Sequence, residues 1–494
     1  MASIFQSDLV FFLPYSYFFF FCLLGLATFS SFTAYPVSSG HLAKQFSYFS
    51  LVGVLISTIL LNVSFSYSTS NVLFGFFSSP FLLIYANIIL FGLTLVLVTF
   101  ASYSQWSNLS NFEVPFFFSM ATLASLLIVI SGDLLTIYLS LELQALALYV
   151  IASSRTNSTY SVESGLKYFV MGSFASCILL LGFSILYGLT GTLSLSELTV
   201  TVTYADKYYL NASVFASVLV VSGLLFKVGS APFHFWVPDV YAGAPLVVTT
   251  FFALVPKISA WVIIVKILVS LISPFSFYFS NFFSFVSILS LIIAAYGAVS
   301  QNSLRRLIAY SAVGQTGYLI LSIGTYSSEG LVSNLFYLIV YVLTLSPIFV
   351  LISVLQPRYS DGIQIDSLKS LPFVYSYNPL SAVLFVVAFL SLAGIPPLAG
   401  FFSKLYVFYS IVMTNNIMLA ILALLLSVVG AAYYLKVVRT TFSFKRKESH
   451  FFFYDFSRPS AYVFISTSLL SLFIPFWGAD LSYIVHNSLL FGVL

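Results

Sequence analysis

Apolar side chains run along this chain in blocks of about eighteen residues or more, separated by short polar or Pro/Gly-containing breaks, without the alternation that marks strands. The blocks fall at 9–31, 46–66, 81–104, 114–132, 134–153, 162–188, 212–231, 246–270, 277–299, 304–324, 330–355, 379–395, 417–438 and 460–477. Each predicts a membrane-crossing helix, because in lipid a helix satisfies its own backbone polar groups, whereas a barrel would show shorter alternating segments. The expectation is an all-α polytopic membrane protein of about 14 transmembrane helices, with a short helix near 400–413 completing a broken twelfth. Nothing is left over for a separate soluble domain.

Composition sharpens this picture. The chain has 494 residues, 60% hydrophobic and 6% charged, with a mean hydropathy of +1.06, which excludes a soluble globule. The net charge of +4 forms no basic face, so nucleic acid is not an expected partner. Cys22 and Cys177 both lie in apolar runs, which offers neither a disulfide framework nor a thiolate metal or iron–sulfur site. Any redox chemistry is expected elsewhere. The amino terminus reads as the first span, lacking the arginine-rich pattern of a transit peptide. The 55 phenylalanines against 5 methionines suit a T-rich organellar genome and point to a mitochondrion, the alternative being a bacterial plasma membrane.

Positive side chains in short loops mark the cytoplasmic or matrix side. Loops after odd-numbered spans hold Lys44, Arg155, Arg305, Arg306, Arg358, Lys369, Lys436, Arg439, Lys445, Arg446, Lys447 and Arg458, whereas loops after even-numbered spans hold only Lys207 and Lys266. This asymmetry predicts both termini on the outer side, the intermembrane space of a mitochondrion.

Four basic residues remain inside spans: Lys167, Lys227, Lys257 and Lys404. A charge at mid-bilayer costs about 2.5–3.5 kcal/mol on insertion scales, so such residues face a bundle interior, find partners and mark ion pathways. Glu142, in "IYLSLELQALALYV", is the acidic residue well inside an apolar run. A carboxylate and several lysines in one bundle suit a proton relay, because a neighbouring charge decides whether an ammonium keeps its proton. The competing reading is that each lysine snorkels to an interface or ties down a carbonyl.

Two motifs break their helices: "KVGSAPFHFWVPD", with its lysine before the proline, and "GIPPLAGFFSK", with its lysine after. Proline in a span frees backbone groups that only protein or a watered cavity can satisfy, and paired interrupted helices in two halves signal inverted repeats. The breaks lie five spans apart, an odd number that forces inversion. The expected organisation is a three-helix segment over 1–112, a five-helix repeat over 113–272, a second, inverted one over 273–440, and a loop with the last helix over 441–494. His234 either shuttles protons or anchors carbonyls freed at Pro232. Asp239 and Tyr241 are expected to cap and position the loop entering span eight.

"GLLFKVGSAPFHFWVPDVYAGAP", "VPKISAW", "RRLIAYSAVGQTGY", "LAGIPPLAGFFSKLYVF", "DLLTIYLSLELQALALYVIASS" and "ESGLKYFVMGSF" resemble the subunit-2 family among the antiporter-like membrane chains of respiratory complex I, the proton-pumping NADH:ubiquinone oxidoreductase. The likeness runs from about Leu134 to Arg439. It implies that Glu142 and Lys227 form a controlling pair, that Lys257 is the central proton carrier and Lys404 the terminal one, and that Lys167 belongs to a hydrated axis. At Gln315 the chain departs from the family's "SSIGHVGY" pattern, whose histidine can titrate; glutamine cannot, so Gln315 stays outside the titratable set. The resemblance further implies a subunit of an H+-translocating enzyme with no redox centre of its own: NADH, FMN, iron–sulfur clusters and ubiquinone are used through other subunits. Implied partners are other membrane-arm subunits, including neighbouring antiporter-like chains, and lipids. A stand-alone monovalent cation/proton antiporter and a purely structural scaffold are the competing functions.

Overall fold

The computed structural model describes residues 2–32, 39–67, 80–103, 113–203, 207–272, 275–357, 368, 371–443, 451–453 and 457–493. The helices are α1 (Ala2–Phe32), α2 (Ser39–Tyr67), α3 (Pro80–Tyr103), α4 (Glu113–Ile130), α5 (Leu134–Ala152), α6 (Thr159–Thr190), α7 (Leu195–Thr203), α8 (Lys207–Val228) and α9 (Trp236–Gly243). They continue with α10 (Leu246–Ile267), α11 (Ser276–Ser300), α12 (Leu304–Ile323), α13 (Ser328–Val354), α14 (Pro372–Tyr377), α15 (Pro379–Ala393), α16 (Ala399–Met413), α17 (Ile417–Thr441) and α18 (Arg458–Val493).

All the predicted spans are helical. Among the described residues, 12 helices are long and apolar enough to cross a membrane, and α15 and α16 form a shorter apolar pair. The remaining predicted span is α12, whose Arg305, Arg306, Gln315 and hydroxyls lower its hydropathy although nearly all its side chains are buried. Local chemistry sets the ends. Asn378 accepts a hydrogen bond from the Ser381 amide at 3.3 Å, Pro379 takes the first helical position, and Gly394 closes α15 with φ 84°. That is cap, pre-set φ and left-handed stop in order.

The chain divides into two compact units. The first comprises Met1–Val228, Gly243–Phe279 and Asn487–Leu494. Within it, α6 packs on α8, α4 on α5, and α3 on α10. Small residues bring α6 and α8 together: a Cβ at Gly223 would lie 3.2 Å from the Ala175 carbonyl oxygen, and such close approach is what holds helices where lipid removes the hydrophobic drive. Burial is uneven, with 94% of the α10 span buried against 39% of the α6 span, so α10 is the enclosed helix and α6 a wall.

The second unit comprises Gly229–Ala242 and Ser280–His486. Here α13 packs on α15 and α16, α15 on α17, and α12 on α13 and α16. Asn334 of α13 donates to the Leu319 carbonyl and to Ser322 Oγ of α12, both at 3.0 Å. Two three-residue strands, β1 (Leu355–Pro357) and β2 (Phe451–Phe453), add a small antiparallel ribbon in the register Leu355↔Phe453, which hydrophobic periodicity over so few residues does not announce.

Several expectations change. Asp239 and Tyr241 lie not in a loop but in α9, with Asp239 in its first turn; Pro238 is tolerated there because the first-turn amides have no intrahelical acceptor. Lys266 is not a loop cation: it occupies the last turn of α10. Arg358, Lys369, Lys445, Arg446 and Lys447 of the orientation tally lie outside the described residues.

Candidate functional site

Glu142 projects from α5 and Lys227 from the last turn of α8. Their Oε1 and Nζ are 3.6 Å apart, with the side chains only 27% and 13% exposed. At that separation the attraction is electrostatic rather than a closed hydrogen bond. With an effective dielectric near 20 such an attraction is about 4 kcal/mol, which offsets part of the insertion cost of about 2.5–3.5 kcal/mol for each of the two charges. At this separation a change of charge on either side chain alters the field at the other.

One residue beyond Val228, α8 has ended. Gly229 adopts φ 78°, a left-handed conformation that favours glycine, and Pro232 follows. Within the second unit, His234 is buried at 6% exposure, its Nδ1 has no hydrogen-bond partner among the described residues, and its backbone carbonyl accepts from the Val237 amide at 3.0 Å to open α9.

Lys257 stands in the middle of α10 and is 4% exposed. It follows Pro256, which lies inside the helix and removes one backbone donor from the ladder just where the lysine emerges. Two residues on, Ser259 receives a hydrogen bond from Gln144 Nε2 of α5 at 2.9 Å. The helix that carries Glu142 is thus tied to the helix that carries Lys257.

Lys404 on α16 reaches back across the second break. Its Nζ donates to the Ala393 carbonyl, the last residue of α15, at 2.6 Å, and lies 5.2 Å from the centre of the Tyr318 ring. A helix C-terminus is rich in unsatisfied carbonyls and carries negative partial charge, and an aromatic face adds to it. Both favour a cation. A cavity of ≈ 10 Å³ touches this lysine and is lined by Gln315, Tyr318, Ser427, Tyr433 and Tyr434 among others, about the space one water needs.

Gln315 organises the polar side of that cavity. Its Nε2 donates to Tyr434 Oη at 2.9 Å, and its Oε1 accepts from the Tyr337 hydroxyl. The hydroxyls of α13 and α17 are joined through one amide of α12. Sequence reasoning named Gln315 and the hydroxyl-bearing stretch that ends at Tyr318 but missed Tyr337 and Tyr434: with 33 tyrosines in the chain, tyrosine at helical spacing carries no separate signal.

Lys167 has a different setting. Its Nζ is 2.8 Å from Glu163 Oε1 one turn earlier on α6, with the side chains 41% and 57% exposed. The pairing was readable as an i, i+4 spacing.

Residues 131–430 match the family described as "NADH:quinone oxidoreductase/Mrp antiporter, TM". The chain is 37% identical to NADH-quinone oxidoreductase subunit N 1 of Rhizobium meliloti, over 74% of this chain and 75% of that one. It is 33% identical to NADH-ubiquinone oxidoreductase chain 2 of Marchantia polymorpha, over 81% of each. In structure it resembles a chain of respiratory complex I from Thermus thermophilus, with TM-score 0.78 and 25% identity over 95% of this chain and 98% of that one. A chain of the Mrp complex from a Dietzia species shares the fold, with TM-score 0.78 and 20% identity over 96% of this chain and 97% of that one. The chain belongs to the NADH:quinone oxidoreductase/Mrp antiporter transmembrane family.

Proposed function

We infer that this chain is a core membrane-arm subunit of a proton-pumping NADH:ubiquinone oxidoreductase and moves protons through a buried Glu/Lys axis, driven by electron transfer in other subunits. The observation that carries this reading is the Glu142–Lys227 pair at 3.6 Å, in the same unit as the buried Lys257. With the carboxylate close, the Lys227 ammonium is stabilised; when the carboxylate's charge is drawn away or neutralised, that stabilisation is lost and Lys227 releases its proton. Lys257, enclosed by protein, receives it as the central carrier. In the second unit Lys404 is the terminal site, with the Ala393 carbonyl and the Tyr318 ring as its resting partners. Lys167 and His234 serve the same axis, His234 from the first break. The two broken helices belong to inverted five-helix repeats over 113–272 and 273–440.

NADH, FMN, iron–sulfur clusters and ubiquinone act in other subunits of the same H+-translocating enzyme. Neighbouring antiporter-like chains and lipids cover the exposed apolar faces, such as Leu139, Leu143, Leu146 and Phe174. The location is the mitochondrial inner membrane, with both termini toward the intermembrane space.

Lys257→Met tests the relay. The expected outcome is normal assembly with NADH-driven proton translocation reduced about a hundredfold, the scale of a lost proton-transfer group; undiminished pumping at normal assembly defeats it. A second reading, a stand-alone monovalent cation/proton antiporter, is compatible with the fold shared with a chain of the Mrp complex. Sodium-driven exchange by the purified chain supports that reading, and co-purification with the other subunits of the NADH-oxidising complex opposes it.

A further inference from the structure

Lys266 has no part in the relay, yet it is built into the first unit. Its Nζ donates to the carbonyls of Ile128, Val129 and Ser131 at 3.1, 2.5 and 2.8 Å. α4 ends at Ile130, so these carbonyls lie at a helix C-terminus, where the last carbonyls lack intrahelical amide partners; the Ile128 carbonyl also accepts from Ser131 Oγ at 2.7 Å. Three carbonyl acceptors match the three donors of an ammonium, and positive charge is favoured at this helix end.

The second unit repeats the arrangement. Lys436 of α17 donates to the carbonyls of Val299 and Gln301 at 3.1 and 3.0 Å, where α11 ends at Ser300. Lys436 is separated from Lys266 by the same number of residues as Val299 from Val129 and Gln301 from Ser131. A second tie accompanies each lysine: Gln144 of α5 to Ser259 of α10, and Gln315 of α12 to Tyr434 of α17. In both units a glutamine on the helix after the corner bonds the helix that supplies the lysine.

We propose that Lys266 and Lys436 are paired positioning residues, each a fixed ammonium clamp that holds the corner between two helices against the helix carrying the lysine and carries no protons itself. In the first unit the clamp sets the α4–α5 corner against α10, and so fixes the start of the Glu142 helix relative to the Lys257 helix. In the second it sets the α11–α12 corner, and so the Gln315 helix, against the Tyr433–Tyr434 helix. The pairing also accounts for the position of Lys266 on the side poor in positive loops: span parity places it opposite Lys436, as inversion of one ancestral clamp requires.

The assignment rests on the proposed relay only for its pumping readout. In the intact complex, Lys266→Arg and Lys266→Met are compared for assembly, NADH-driven proton translocation and amide hydrogen exchange over residues 129–134. Arginine is permanently charged and rich in donors, so it can clamp but cannot release a proton. The expected result is that Lys266→Arg assembles, keeps at least about half of the pumping and leaves exchange unchanged, whereas Lys266→Met speeds exchange roughly tenfold and lowers pumping. Lys436→Arg and Lys436→Met give the same contrast over residues 299–303. If Lys266→Met does not assemble, assembly of Lys266→Arg decides. Wild-type exchange in Lys266→Met overturns the proposal; so does a Lys266→Arg variant that fails to assemble or falls with the methionine variant. Exchange is read without turnover, so a failed relay leaves this contrast standing, and a failed clamp leaves the Lys257→Met result untouched.

Discussion

Lys227 and Lys404 each flank a proline break, but their side-chain nitrogens face different partners. Lys227 comes before its break and faces a carboxylate at 3.6 Å. Lys404 comes after its break and turns back onto a fixed backbone dipole, the Ala393 carbonyl at 2.6 Å, beside an aromatic face. A carboxylate can move, gain a proton or be drawn off by another cation; a peptide carbonyl at a helix end can do none of these. Under the proposed relay, adjustable control belongs to the first unit and a constant resting site to the second.

The largest effect that could break this comparison comes from Glu142→Gln. It keeps the side chain's size and removes its charge, so pumping falls roughly tenfold, a barrier change of about 1.4 kcal/mol, with assembly preserved. Pumping at the wild-type level shows that Lys227 is not controlled by its carboxylate.

Next come the two break glycines, Gly229 and Gly394, both of positive φ. Gly229→Ala and Gly394→Ala both place a side chain in a left-handed conformation at a cost of about 1–2 kcal/mol. Only at Gly394 would the new Cβ also lie 3.0 Å from the Lys404 ammonium; at Gly229 it meets Val237 and Trp236 instead. Amounts of assembled complex should drop alike, while pumping per assembled complex drops a further few-fold in Gly394→Ala alone. Equal specific activity in the two variants removes the argument that the Ala393–Lys404 geometry matters.

The smallest effect is expected at Gln315. Gln315→His still offers a donor and an acceptor to Tyr434 and Tyr337, and pumping stays within about twofold. Gln315→Leu leaves those buried hydroxyls without their partner, a loss of about 1–3 kcal/mol, seen as a lower melting temperature of the complex. If histidine melts as early as leucine, the amide is not what joins the three helices.

What the sequence discloses follows from how much each signal depends on distant residues. Apolar length alone determines a span, so α1 to α6, α8, α10, α11, α13 and α17 were readable, as were the breaks at Pro232 and at Pro396–Pro397. Lys227, Lys257 and Lys404 stood out because charge is rare in such runs. α9 was hidden, since Pro238 interrupts a pattern as readily in a loop as in a helix's first turn. Lys266 was misread because a lysine at the end of a span serves a loop or a neighbouring helix equally well, and its acceptors lie far back in the chain at Ile128, Val129 and Ser131. The Tyr337–Gln315–Tyr434 chain needed three helices to be packed before it existed.

The contrast between α10, buried over 94% of its span, and α17, buried over 22% of its span, bears on how this chain can change over generations. Nearly any replacement on α10 meets neighbours on every side and must be answered by a compensating replacement, since interiors packed this closely register the loss or gain of a single methylene. Positions such as Met418, Leu425 and Val428 on α17 are open and accept one aliphatic group for another at little cost. Divergence should therefore pool on one helix and bypass the other.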